Sequence, residues 1–186
     1  MERSDPPLIS VPLCEEDLWV LRLSMGGARV VTRACTLKML EQQPLIQPRR
    51  TQLVRQYIEG MALRQGVNLS VVVEADGLQV TKDLVRRGFG ATISPYSGIG
   101  ADIKRGDFSG GPVRGLVISR YLVRRIDRPV TLAIAKFQEA MLETMGVLNV
   151  SDHAIRLVAS NKRGGKPGAQ DFTHLPASRL WCPLVW

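Results

Sequence analysis

Ser97 in "SPYSGIG" invites comparison with a nucleophile elbow, but the G-x-S-x-G pattern fails because position 95 is Pro. Cysteine nucleophiles need a neighbouring base, and Cys14 instead lies beside Glu15 and Glu16, which disfavour the thiolate; a buried strand thiol is the expected role. The only histidines, His153 and His174, are far from each other and from any cysteine pair, so no metal site is expected. "RRGFGATIS" is Gly-rich, yet it runs from helix into strand, the reverse of a phosphate-cradling loop. No acid-base or metal constellation emerges, so an enzyme is not expected, and no cofactor is implied.

Two stretches do have the polarity of a binding site. "QPRRT" (Gln47 to Thr51) opens a helix, where free N–H groups, the positive end of the dipole and Arg49 or Arg50 could receive an anion. "EADGL" opens another, with Asp76 and Gly77 at its start. For each, the residues alone favour the plainer reading, an ordinary helix cap.

The elements that position these stretches follow from apolar spacing. "EEDLWVLRL" (15–23) alternates as a strand, "TLKMLEQQ" (36–43) reads as a short helix, and "PLIQP" as a strand closed by Pro48. From Arg49 to Gln65, Leu53, Val54, Tyr57, Ile58, Met61 and Ala62 share one helical face, and Gly66 stops the helix. "NLSVVVEAD" is then a buried strand. Asp76, with Gln79 three residues on, stands as the N-cap of a helix whose buried face is Leu78, Thr81, Leu84 and Val85, ending at Gly88. "GATIS" is the next strand, "IGADIKRG" a helical turn, and "GPVRGLVISRYLVRR" a further strand. A helix over 131–145, with Ile134, Phe137, Met141 and Met145 on its apolar side, precedes a short helix over 152–160 and a loosely held tail containing Trp181 and Trp186. This alternation predicts an α/β fold with a largely parallel sheet.

With 186 residues and 45% apolar content, the chain is long enough to bury a core. Arg and Lys number 25 against 17 Asp and Glu, a formal charge of +8 that favours an anionic partner without choosing one. The basic residues, Arg55, Arg86 and Arg105 among them, are scattered, and only ten residues are aromatic, so solvated arginines on element exteriors are expected rather than a nucleic-acid surface. Three separated cysteines, no signal peptide in "MERSDPPLIS" and no run of about 20 apolar residues predict a cytoplasmic protein without a membrane partner.

"DPPLISVPLCEEDLWVL", "LEQQPLIQP", "VVVEADGLQVTKDLVRRGFGATISPYSGI" and "VISRYLVRRIDRPVTLA", in this order, resemble the regulatory domain of LysR-type transcriptional regulators over residues 5–165. The nearest branch is that of nitrogen assimilation and cysteine biosynthesis. The resemblance implies a periplasmic-binding-protein-like, two-lobed α/β fold with an incomplete first lobe: 1–66 and 124–165 in the first lobe, 67–123 in the second, and an irregular tail over 166–186. It implies a small-molecule effector held between the lobes by Gln47, Pro48, Arg49, Asp76 and Gly77. Many members carry a hydroxyl residue where Arg49 or Gly77 stands, and Arg49 beside a helix N-terminus suggests an anionic effector. Promoter DNA would be reached only through an N-terminal winged helix-turn-helix domain that this sequence lacks, and homo-oligomers would form through regulatory lobes. The remaining alternatives are a transporter's solute-binding protein, which the absent signal peptide disfavours, and a non-functional truncated copy.

Overall fold

The computed structural model describes residues 8–24, 33–151, 154–157 and 180–185. The chain forms two compact units: a central unit, Glu16–Ile118, and a terminal unit made of Met1–Glu15 and Ser119–Trp186. Two long strands, β1 (Leu8–Leu23) and β5 (Phe108–Arg125), each carry the chain through both units. Residues 66 and 67 both lie in the central unit. There β2 (Leu45–Gln47) and β3 (Val71–Glu74) pair in parallel, with helix α1 (Leu53–Arg64) as the crossover. Residues on both sides of Gly66 thus form one β/α/β motif.

The next connection repeats the motif. Helix α2 (Leu78–Arg86) leads to β4 (Thr92–Pro95), and the Ile46 N–H bonds the Ala91 carbonyl at 2.8 Å across a parallel bridge between Leu45 and Ala91. β4 then pairs antiparallel with β1, from Leu18 opposite Pro95 to Leu21 opposite Thr92. The alternation of strands and helices predicts one largely parallel sheet; instead the parallel β2–β3 pair is a two-stranded sheet of its own, and β4 joins the larger sheet by pairing antiparallel with β1, which enters from outside the β/α repeat.

Helix α3 (Tyr96–Arg105) is ten residues long, where the sequence suggests a single turn. Gly106, at φ +83°, ends it in the left-handed conformation that glycine adopts without a Cβ penalty. The segment expected as a helix over 36–43 is one 3-10 turn, Leu37–Leu40, whose N-cap hydroxyl on Thr36 accepts the Met39 N–H.

Leu21, Ile46, Val85, Ile99, Ile103 and Phe108 form the central unit's buried cluster, with Leu78 and Leu84 packed against it. Each such side chain contributes roughly 1.5–3 kcal/mol through removal from water. Gly110 of β5 sits so close to β1 that a Cβ there would lie 2.5 Å from the Val20 carbonyl oxygen and 2.9 Å from Ile103 Cδ1. Gly110→Ala is therefore expected to lower stability by about 1–2 kcal/mol through a forced backbone shift, measured as a reduced urea midpoint with unchanged slope.

Arg55, one of the arginines expected on exteriors, is buried, and so is Lys82. Arg55 is 2% exposed, bonded to Glu59 at 2.6 Å and to the Pro48 carbonyl at 3.2 Å. Lys82 of α2 pairs with Asp102 of α3 at 2.6 Å, its side chain only 7% exposed. Charges survive inside a protein when paired in this way. Arg86 behaves differently, lying 5.1 Å above the Phe108 ring as a cation–π contact.

In the terminal unit, helix α4 (Leu132–Ser151) is longer than expected. β6 (Ile155–Leu157) pairs β1 and β7 (Leu180–Val185) pairs β5. Strand β6 occupies the middle of the segment expected as a helix over 152–160. β7 gives the expected irregular tail a strand because "LWCPLV" is apolar and β-prone, with Pro183 tolerated at the end of the strand order. Trp186, His153 and His174 lie outside the described residues. Ile134 and Phe137, placed by the sequence on the helix's apolar side, are exposed, as are most of α4's described side chains.

Candidate functional site

The central unit holds a cleft of about 190 Å³ into which the starts of its three α-helices converge. Gln52, Gly77 and Pro95 are the N-cap residues of α1, α2 and α3; all three line this cleft, and none makes a side-chain cap hydrogen bond. The first N–H groups of a helix have no acceptor within the helix, and they carry its positive dipole end. At α3 a carboxylate fills the role: buried Glu16 accepts the Ser97 N–H. β2 and β3 point their carboxyl ends toward the cleft through Pro48 and Ala75, the crevice position in which open α/β sheets hold ligands.

The structure brings the residues expected to bind the effector together. Pro48 and Gly77 line the cleft directly, and Gly77 adopts φ +100°, a conformation that side-chain-bearing residues rarely take. Arg49 and Asp76, from the loops after β2 and β3, bond each other twice. The Arg49 backbone N–H donates to Asp76 Oδ1 at 3.2 Å, and its guanidinium pairs with Oδ2. The Arg49 N–H, then the guanidinium, hold the Asp76 carboxyl below its usual range. Asp76 is therefore not the N-cap of α2 that its sequence position suggests; Gly77 takes that place, and the carboxylate is turned to the neighbouring loop.

Gln47, the last residue of β2, is 1% exposed, and neither its Oε1 nor its Nε2 meets a hydrogen-bond partner among the described residues. Its backbone carbonyl accepts the Ala75 N–H at 3.0 Å, tying it to the loop that carries Asp76. Arg55 braces the same region through Pro48 and lies 4.0 Å from Glu74.

Sequence reasoning missed the cleft's hydroxyl wall, Thr81, Thr92 and Ser94. The signal available was the polar alternation at the end of "ATISP", which places Thr92 and Ser94 on one side of β4. The cleft contains no charged lining side chain of its own, so Arg49 and Asp76 at its edge are the nearest charges on these two loops. Among the described residues no group of three His, Cys, Asp or Glu could hold a metal ion, and no helix is long and apolar enough to cross a membrane.

The mixed α/β fold is the periplasmic-binding-protein-like fold of solved regulatory domains. The chain belongs to the LysR substrate binding domain family, whose model matches residues 1–146. This is a family of regulatory domains of transcription regulators, not of enzymes.

Solved structures share the fold. The regulatory domain of MetR from N. meningitidis is 12% identical, with a TM-score of 0.62 over 85% of this chain and 74% of its own. The CcmR regulatory domain of Synechocystis PCC6803, in complex with 2-PG, is 11% identical, with a TM-score of 0.61 over 78% of this chain and 70% of its own. Full-length CbnR complexed with its target DNA is 17% identical, with a TM-score of 0.57 over 78% of this chain. This chain spans about half, 50%, of CbnR's length. No curated protein matches the chain.

Proposed function

We propose that the chain is the effector-sensing part of a LysR-type regulator and that a small metabolite with an anionic group binds in the central unit's cleft. The observation that carries this reading is the convergence on one cleft of the N-termini of α1 and α2, whose N-cap residues Gln52 and Gly77 make no side-chain cap hydrogen bond, while that of α3 is already met by Glu16. Helix N-termini favour an anion through both their N–H groups and their dipoles. Gln47, Pro48, Arg49, Asp76 and Gly77 form the contact set, with Arg49 supplying the cation and Gln47 a carboxamide able to donate and accept. That CcmR's regulatory domain was solved with 2-PG supports a small-molecule effector for a domain of this fold.

The quoted sequence stretches favour the nitrogen-assimilation and cysteine-biosynthesis branch, so sulfur and nitrogen metabolites are the first compounds to test. Effector binding would bias a conformational equilibrium that a DNA-binding domain reads, as a ligand shifts any equilibrium between states it binds unequally. Promoter contact through that domain, homo-oligomers and a cytoplasmic location complete the reading.

Calorimetric titration with small carboxylates, phosphates and sulfur and nitrogen metabolites tests it. A compound that binds wild type is expected to bind Arg49→Ala about tenfold more weakly, the scale of one charge-assisted contact. Unchanged affinity would remove Arg49 from the site, and no binding by any compound would remove the cleft.

A further inference from the structure

We infer that the edge of this cleft selects a zwitterion, a compact molecule bearing an ammonium group beside its carboxylate, over a simple anion. The inference rests on the effector reading above and adds the ligand's chemical class. Its basis is what already occupies Arg49. The Asp76 carboxylate takes both the backbone N–H and the guanidinium of Arg49, so it fills the contacts that a ligand carboxylate would use. Asp76 is a built-in competitor.

The two kinds of ligand meet this competitor differently. A simple carboxylate must displace Asp76 and leave it beside the incoming negative charge, like charges that repel at short range. An α-amino acid can exchange both partners at once, its carboxylate going to Arg49 and its ammonium to Asp76. The number of ion pairs rises by one and no like charges are left adjacent. The exchange is open to a ligand because Arg49 and Asp76 side chains are 69% and 33% exposed.

Two further features fit a small polar molecule. Gln47, next to Pro48 of the cleft wall, keeps a buried carboxamide with no partner among the described residues for its donor or its acceptor. The cleft offers hydroxyls from Thr81, Thr92 and Ser94 but no second cation that would reward a dianion.

The test compares matched pairs on the purified chain at low salt. The common L-amino acids and their deamino counterparts, such as L-alanine with propionate and L-serine with glycerate, are titrated while the amide resonances of Arg49 and Gly77 are followed by NMR. For the amino acid that binds best, affinity is expected to exceed that of its deamino counterpart by about tenfold, the scale of a partly desolvated charge pair. Asp76→Asn removes the competitor and the ammonium's partner together, and should bring that ratio close to one, chiefly by strengthening the simple carboxylate. Equal or tighter binding of the deamino acid by wild type overturns the inference, as does a preference that survives Asp76→Asn. Failure of every amino acid, together with binding of another anionic metabolite at these same resonances, overturns the zwitterion and leaves the effector reading standing. Silence of both resonances with every compound overturns both.

Discussion

Asp102→Asn is expected to destabilise the folded chain by about 3 kcal/mol, the cost of leaving one partner of a buried ion pair uncompensated. Asp102 joins α2 to α3 through Lys82 at 2.6 Å, and the side chains of Lys82 and Asp102 are only 7% and 13% exposed. Arg105 contacts the other carboxylate oxygen from the surface, but it keeps water and Asp107 as alternatives, whereas the Lys82 ammonium has no comparable exit. The amide preserves the shape of the carboxylate and removes its charge, so the loss reports the charge itself. Lys82→Met combined with Asp102→Leu should recover most of the stability, because apolar residues of similar volume need no desolvation offset.

The same pair sets a pH dependence. Burial alone would raise the Asp102 pKa; Lys82, then Arg105, outweigh burial and hold it below its ordinary value of 3.8. A carboxyl depressed on folding contributes its full stability above the unfolded-state pKa and loses it as pH falls through the lowered native value. Urea melts from pH 7 to pH 3 should therefore show a decline below about pH 4 in wild type that is shallower in Asp102→Asn. A loss under about 1 kcal/mol at pH 7 would mean that the ammonium reaches water, as surface pairs do.

The origin of this pair explains what the sequence could and could not reveal. Thr81 and Val85 fall on the buried face of α2 by helical spacing, and Lys82 lies beside Thr81 on the same flank. A lysine in that position reads as solvent-facing unless its acid is known, and Asp102 is twenty residues away on another helix. The helix stops were legible for the opposite reason. Gly66 and Gly88 follow α1 and α2 at φ +64° and +80°, and glycine announces that conformation locally.

The parallel pairing of β2 with β3 is of the kind that the alternation of strands and helices predicts, but the points at which β1 and β5 pass from one unit to the other, at 15/16 and 118/119, fall inside continuous strands and carry no local mark. The candidate site was drawn from the family resemblance, which selects Arg49 and Asp76 on the loops after β2 and β3 but does not show that they bond each other. A capping-box spacing from Asp76 to Gln79 competes with that pairing in the sequence, and the 27-residue separation from Arg49 hides the winner.

Gln47→Leu should raise stability by about 2 kcal/mol while abolishing the response to any ligand of the cleft. Both polar atoms of this side chain are buried without a partner among the described residues, in a strand whose other residues, Leu45 and Ile46, are fully buried apolar groups. A buried carboxamide in that state carries an uncompensated desolvation cost, which leucine of similar size removes. Residues that reduce stability in this way are the ones expected to carry function. Thermal melts with and without the best-binding metabolite separate the possibilities. A higher melting point with no ligand-induced shift assigns the carboxamide to the effector. A higher melting point with the shift intact confines recognition to Arg49, Asp76 and the helix N-termini. A lower melting point would mean that ordered water satisfies Gln47 in the folded protein, in which case the ligand must displace that water and reproduce its hydrogen bonds to bind.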